Sequence, residues 1–153
     1  MRRQKQEITD KAEIDLILSS AKIIRIAFYD GNEPYVLPFN YGYADGKIYI
    51  HCALEGRKLD IIRKNPLVAF EATADAGRRN NNPETPCAYG YSYRCAAGTG
   101  NAFIINDEWE RIRGLNILMK QQAGLLNPVY EPEKMAKTAV VRVDILKVAG
   151  KKS

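Results

Sequence analysis

The only histidine of the chain, His51, stands beside Cys52 in the stretch HCALEGRKLDIIRKNP (residues 51–66), which also carries the step Gly56, Arg57, Lys58 at the head of an amphipathic run. The first turn of a helix is its positive end and favours acids. Two cations there point to an anion. A phosphate placed at such a turn receives free backbone N–H groups together with the charges of Arg57 and Lys58. The alternative is a pair of solvated first-turn cations offset by Glu55 and Asp60. His51 has a comparable choice: a neutral imidazole can donate and accept a proton near neutral pH, or it can serve as a satisfied structural residue. Cys52 reads as a packing residue or backbone contact rather than a nucleophile, because no second histidine is present to activate it.

These residues need a strand end and a helix start to hold them, and the flanking sequence supplies both. KIYIHCA alternates, with Ile48, Ile50 and Cys52 on one face and Tyr49, His51 and Ala53 on the other. Leu59, Ile61 and Ile62 then give a helix of about three turns that Pro66 stops. Upstream, Asp10 and Glu13 form a capping signal before Ile14, Ile17 and Leu18 at helical spacing. KIIRIAFYD and YVLPFNYGY flank the turn residues DGNEP and read as consecutive antiparallel strands, with ADGK as the next hairpin turn. PLVAFEAT is a further strand, and DAGRRNNNPETP an exposed loop. CAYGYSYRCAAGTGNAFII is a long strand bent or bulged at Gly98 or Gly100. Asp107 caps a helix with Trp109, Ile112, Leu115 and Met119 as its buried stripe. After a connector with one helical turn, AVVRVDILKVAGKK closes the chain, with Val141, Val143 and Ile145 on one face. About six strands in hairpin order with interspersed helices predict a mainly β fold, a closed or nearly closed antiparallel barrel.

At 153 residues with 46% hydrophobic content the chain forms one domain, residues 1–153. Its three cysteines, Cys52, Cys87 and Cys95, contain no C-x-x-C pair, and one histidine leaves too few ligands for structural zinc. A reducing cytosol is the expected compartment, and Cys87 and Cys95 are not assigned as a disulfide. No signal peptide or 18-residue apolar run is present, so no membrane span is expected. Neither G-x-G-x-x-G nor a Walker loop occurs. The net charge of +5 suits an anionic partner. Together with the tyrosines it is the only feature favouring single-stranded nucleic acid, which is not the expected partner.

The ordered series EPYVLPFNYGYADGKIYIHCALEGRKLDIIRKNPLVAFEA, followed by YRCAAGTGNAFII, resembles the pyridoxamine 5′-phosphate oxidase-like family of FMN-binding split barrels, and within it the branch of nitroimidazole-resistance proteins. The resemblance covers nearly the whole chain. It implies a six-stranded split barrel that dimerises and holds FMN between its subunits. Residue by residue, it implies that Val36, Leu37, Pro38, Phe39, Asn40 and Tyr41 lie along the flavin ring, that His51 and Cys52 meet the flavin and its ribityl chain, and that Arg57 and Lys58 take the phosphate. Tyr93 and Arg94 match a family segment near the cofactor. Tyr35, Phe39, Tyr41 and Tyr43 would form a wall of the flat-ligand groove or fill the barrel. The terminal Trp and Arg with which the oxidase branch holds pyridoxamine phosphate have no counterpart in LKVAGKKS, so vitamin B6 oxidation is not implied. What is implied is a cytoplasmic flavin-dependent oxidoreductase acting on a small, flat, electron-poor molecule such as a nitroaromatic or quinone, with NAD(P)H as donor and His51 as the catalytic contact. The alternative is a non-catalytic FMN or haem carrier or sensor on the same barrel, with His51 as an axial ligand for haem.

Overall fold

The computed structural model describes residues 4–79 and 89–153, and Cys87 lies outside them. A short strand β1 (Glu7–Ile8) leads into α1 (Lys11–Ser20), whose cap Asp10 accepts from the Ala12 amide and whose Ile14, Ile17 and Leu18 are buried. Two hairpins follow: β2 (Ile23–Tyr29) with β3 (Pro34–Asn40), then β4 (Gly42–Ala44) with β5 (Lys47–Ala53). After α2 (Arg57–Lys64) come the long strands β6 (Leu67–Arg78) and β7 (Tyr91–Ile105), helix α3 (Glu108–Ala123), the single turn α4 (Pro132–Met135) and β8 (Thr138–Lys152).

All the strand pairs are antiparallel, in the order β3-β2-β6-β7-β8-β5-β4, with β1 added to the end of β8. The expected six strands are eight among the described residues. The YVLPFNYGY run breaks at Tyr41 into β3 and β4, and β1 is a two-residue addition. β6 also runs on to Arg78, into the stretch read as loop. The strand arrangement is that of an FMN-binding split barrel: β3 approaches β5 without a ladder between them. The bend expected at Gly98 or Gly100 is a register shift there. Pairing passes from Thr99↔Lys147 to Gly100↔Ile145 and leaves Leu146 of β8 as the extra residue.

The core fills the barrel with Ile24, Ile26, Phe28, Ile48, Ile50, Val141 and Val143, closed at its ends by Leu18 of α1 and Leu59 of α2. α3 covers the other face of β5, where Tyr49, Leu115 and Val140 form a second cluster. Here the expected stripe is corrected. The structure buries Gly114, Leu115 and Leu118, while Trp109 is 71% exposed and Ile112 is also exposed. The cause is close approach. A Cβ on Gly114 would lie 2.5 Å from the Tyr49 ring, and one on Gly42 2.4 Å from the Leu118 backbone nitrogen. Only a helix face carrying glycine fits against that strand pair, and this face turns Trp109 outward.

Gly42→Ala therefore forces α3 away from β4. It should lower stability by about 1–3 kcal/mol, read as a fall in denaturation midpoint, whereas Gly77→Ala, with open space at its Cβ, should change stability by no more than about 0.5 kcal/mol. Equal stability of the two variants would contradict this packing.

Candidate functional site

β3 is an edge strand, bonded among the described residues only to β2. β4 pairs only as far as Tyr49 of β5, so the end of β5 carrying His51 and Cys52 has a ladder on its β8 side alone. These two unpaired edges line the split. Along β3, Tyr35, Leu37 and Phe39 are half-buried and Val36, Pro38 and Asn40 are exposed. Tyr35 and Phe39 turn inward against Phe28. The exposed set forms a flat, small-residue surface with Pro38 across from Arg25 and Val36 across from Ala27. Tyr41 is fully buried, and its hydroxyl donates to the Leu18 carbonyl at 2.5 Å, so its side chain belongs to the core. The half-buried Tyr43 hydroxyl donates to Asp15. Of the aromatic run, then, Tyr35, Phe39, Tyr41 and Tyr43 all fill or brace the barrel.

α2 begins at Gly56, whose φ of +126° and ψ of 161° belong to a region that is essentially glycine's alone. No side chain caps this helix start. Its backbone pairing begins with the Leu59 amide donating to the Gly56 carbonyl, which leaves the Arg57 and Lys58 amides open among the described residues. Arg57 does not face that opening unpartnered. Its guanidinium donates to Asp30 at 3.0 Å and to Glu33 at 2.5 Å, and lies 4.7 Å from the centre of the Tyr35 ring. The anion expected beside the Arg-Lys step is thus present in part within the chain, on the β2–β3 turn. These two acids were read from sequence only as turn residues, and two carboxylates in one tight turn were the available signal. Lys58 has no ion-pair partner among the described residues.

His51 and Cys52 are adjacent but face opposite ways. Cys52 packs inward against the core, where burial pushes its thiol pKa up and Lys58 draws it down. The exposed His51 faces outward into a groove of about 280 Å³ beneath α3 and α4, with Leu115, Leu118, Met119, Tyr130 and Met135. The strip on β3, the α2 start and the His51 groove are therefore three neighbouring features, not one pocket. Tyr93 and Arg94 lie elsewhere, in a shallow basin with Lys5 and Lys152, where Arg94 pairs with Asp75 and Tyr93 lies under Lys151. A larger groove of about 510 Å³ on the outer side of α3, between Trp109 and Leu126, brings cations but no acid–base pair. Among the described residues no cluster of His, Cys, Asp or Glu could hold a metal ion, and no helix is long and apolar enough to cross a membrane.

Asp30 accepts from the Glu33 and Asn32 amides and from Arg57, which together lower its pKa from the ordinary 3.8 to about 2. A depressed carboxyl stabilises the fold fully above its unfolded pKa, and this contribution is lost as pH falls through the folded value. Asp30→Asn should therefore flatten the acid limb of stability between about pH 4 and pH 2, measured by chemical denaturation across that range. An unchanged limb would show that the turn does not hold the charge.

A sequence model of the pyridoxamine 5′-phosphate oxidase family matches residues 10–152. Among solved structures, the chain is similar to a candidate 5-nitroimidazole antibiotic resistance protein of Bacteroides thetaiotaomicron VPI-5482, with 24% identity over 95% of this chain and 86% of that one and a TM-score of 0.81. It is also similar to the flavocytochrome Anf3 of Azotobacter vinelandii, with 17% identity over 100% and 72% of the two chains and a TM-score of 0.81. A FAD and haem binding protein of Mycobacterium smegmatis follows, with 18% identity over 97% and 73% and a TM-score of 0.80. No curated protein matches. The chain belongs to the pyridoxamine 5′-phosphate oxidase family.

Proposed function

We propose, from that membership, that the chain is a flavin-binding protein that takes FMN along the β3–β5 split with its phosphate at the start of α2. The observation that carries this reading is the uncapped turn at Gly56: a backbone shape only glycine adopts readily and, among the described residues, open Arg57 and Lys58 amides and a lysine without an ion-pair partner. That donor set suits a phosphate dianion, which the backbone N–H groups and the ammonium would bind together. Arg57 would border the phosphate from its place between Asp30 and Glu33, and those carboxylates hold its guanidinium still. The exposed surface of Val36, Pro38 and Asn40, with the end of β5, would support the ring through backbone and small apolar groups.

When bound, the flavin supplies electron transfer, and the protein supplies orientation and the electrostatic setting. A small, flat, electron-poor molecule such as a nitroaromatic or quinone, reduced at the expense of NAD(P)H, is the substrate class we propose. Phe28 and Phe39 would back the ring strip, and burial keeps Cys52 protonated and inert. A second copy would cover the open side of the cofactor, because the β3 edge is unpaired and Val36 and Ile23 are 56% and 48% exposed beside it. A non-catalytic flavin or haem carrier is the second reading, favoured by two similar structures whose proteins bind haem or are flavocytochromes. A Soret band on haem titration that disappears in His51→Ala would favour that reading.

Charge-assisted contacts to a phosphate are worth roughly 1.5–3 kcal/mol, so Lys58→Ala should weaken FMN binding by at least about tenfold. Riboflavin, which lacks the phosphate, should bind the variant as it binds the wild type. Fluorescence quenching titrations measure both. Equal losses for the two ligands, or none for FMN, would remove the phosphate from the α2 start.

A further inference from the structure

The exposed residues of β3, Asn40, Pro38 and Val36, lead toward the start of that strand at Pro34 and from there into the turn that carries Glu33 and Asp30. Arg57, the first residue of α2, reaches this turn and donates to both of its carboxylates. With the ring along the strip and the phosphate at the α2 start, the direction from ring to phosphate therefore runs toward Asp30 and Glu33. Whatever is joined to the far side of that phosphate meets two acids. FMN has nothing there, whereas FAD has a second phosphate and an adenosine.

Three properties of the turn oppose that extension. The first is charge. Asp30 accepts from the Glu33 and Asn32 amides and from Arg57, which hold its pKa at about 2 and keep it ionised at neutral pH. The Glu33 side chain is 58% exposed, within reach of an arriving ligand. One guanidinium between two carboxylates leaves the turn an acidic excess. The second is donor geometry. Both carboxylates bond the same nitrogen, Arg57 Nη2, at 3.0 and 2.5 Å. Nη2 belongs to both of the two-nitrogen forks with which a guanidinium grips a phosphate, and it has only two hydrogens. Arg57 is thus limited to single bonds from Nη1 or Nε and cannot clamp a second phosphate. The third is stacking. The Tyr35 ring beside the α2 start lies under the Arg57 guanidinium at 4.7 Å and packs against Phe28 at 6.2 Å, so it offers an adenine no free face.

We propose that Asp30 and Glu33 are specificity-determining residues that end the site at a phosphate monoester, so that the chain takes FMN in preference to FAD. This rests on the flavin phosphate lying at the α2 start, and it assigns the choice between flavins to two turn carboxylates that do not themselves bind the phosphate.

FMN, FAD and riboflavin are titrated into full-length wild-type protein, Asp30→Asn, Glu33→Gln and the double variant by isothermal titration calorimetry. The wild type should bind FMN at least about tenfold more tightly than FAD. Each substitution keeps an oxygen for Arg57 and removes one negative charge, so FAD binding should strengthen about three- to tenfold in each variant and further in the double variant. The ratio of FMN to riboflavin affinity should stay within about threefold of the wild-type ratio, because the amides and Lys58 that hold the phosphate are untouched. Should Asp30→Asn disturb the turn, Glu33→Gln, at an exposed side chain, carries the test alone. Equal affinity of the wild type for FMN and FAD, or a preference that none of the variants narrows, would overturn the inference and leave the flavin reading standing. Binding of neither flavin, or equal binding of FMN and riboflavin by the wild type, would remove the phosphate from the α2 start and the inference with it.

Discussion

The split in this barrel depends on two neighbouring amides at the end of α3. Where β3 gives way to β4, the backbone leaves its ladder at Tyr41, and side chains rather than another strand satisfy the polar groups. Gln121 accepts from the Tyr43 amide at 2.8 Å and donates to the Leu18 and Ala21 carbonyls, while Gln122 donates to the Tyr41 and Lys22 carbonyls. An orphaned buried carbonyl costs about 1–3 kcal/mol, so this network makes the break tolerable. It also joins three elements at one point, since Leu18 and Ala21 close α1 and the Gln pair closes α3.

A second set of polar contacts fixes α3 at its other end. Arg142 of β8 pairs with Glu110 of α3 and with Asp144, beneath the Phe103 ring. Between these two anchors lie Gly114 and Gly42, where helix and strand approach too closely for a side chain. The helix is thus pinned at both ends and pressed in the middle, and its position creates the His51 groove. The Arg57, Asp30, Glu33 and Tyr35 cluster works differently. It is exposed, and exposed ion pairs contribute little stability. Its effect is orientation: it ties the first residue of α2 to the β2–β3 turn, so that the edge strand and the helix start hold a fixed relation.

Much of this was legible in the sequence. Alternation in KIYIHCA, the capping signal at Asp10 and the turn residues in DGNEP and ADGK are local rules, and each produced the element expected. The order of motifs carried the family. What stayed hidden was set by tertiary contact. The buried stripe of α3 follows glycine rather than the large apolar residues, because the partner surface demands close approach. Trp109 looked like an anchor only while that surface was unknown. For Arg57 the sequence offered a phosphate or the nearby Glu55 and Asp60, because its carboxylates, Asp30 and Glu33, stand on a distant turn of the chain. The opposite orientation of His51 and Cys52 was readable from strand alternation, but their separation into different environments required α3 to be in place.

A crystal structure of the protein with FMN tests most directly whether the uncapped start of α2 holds the phosphate. The phosphate should lie within hydrogen-bonding distance of the Arg57 and Lys58 amides and of Lys58 Nζ, with Arg57 still between Asp30 and Glu33 and the ring along Val36, Pro38 and Asn40. A flavin whose phosphate lies elsewhere, in the basin beside Arg94 or in the groove outside α3, would contradict it.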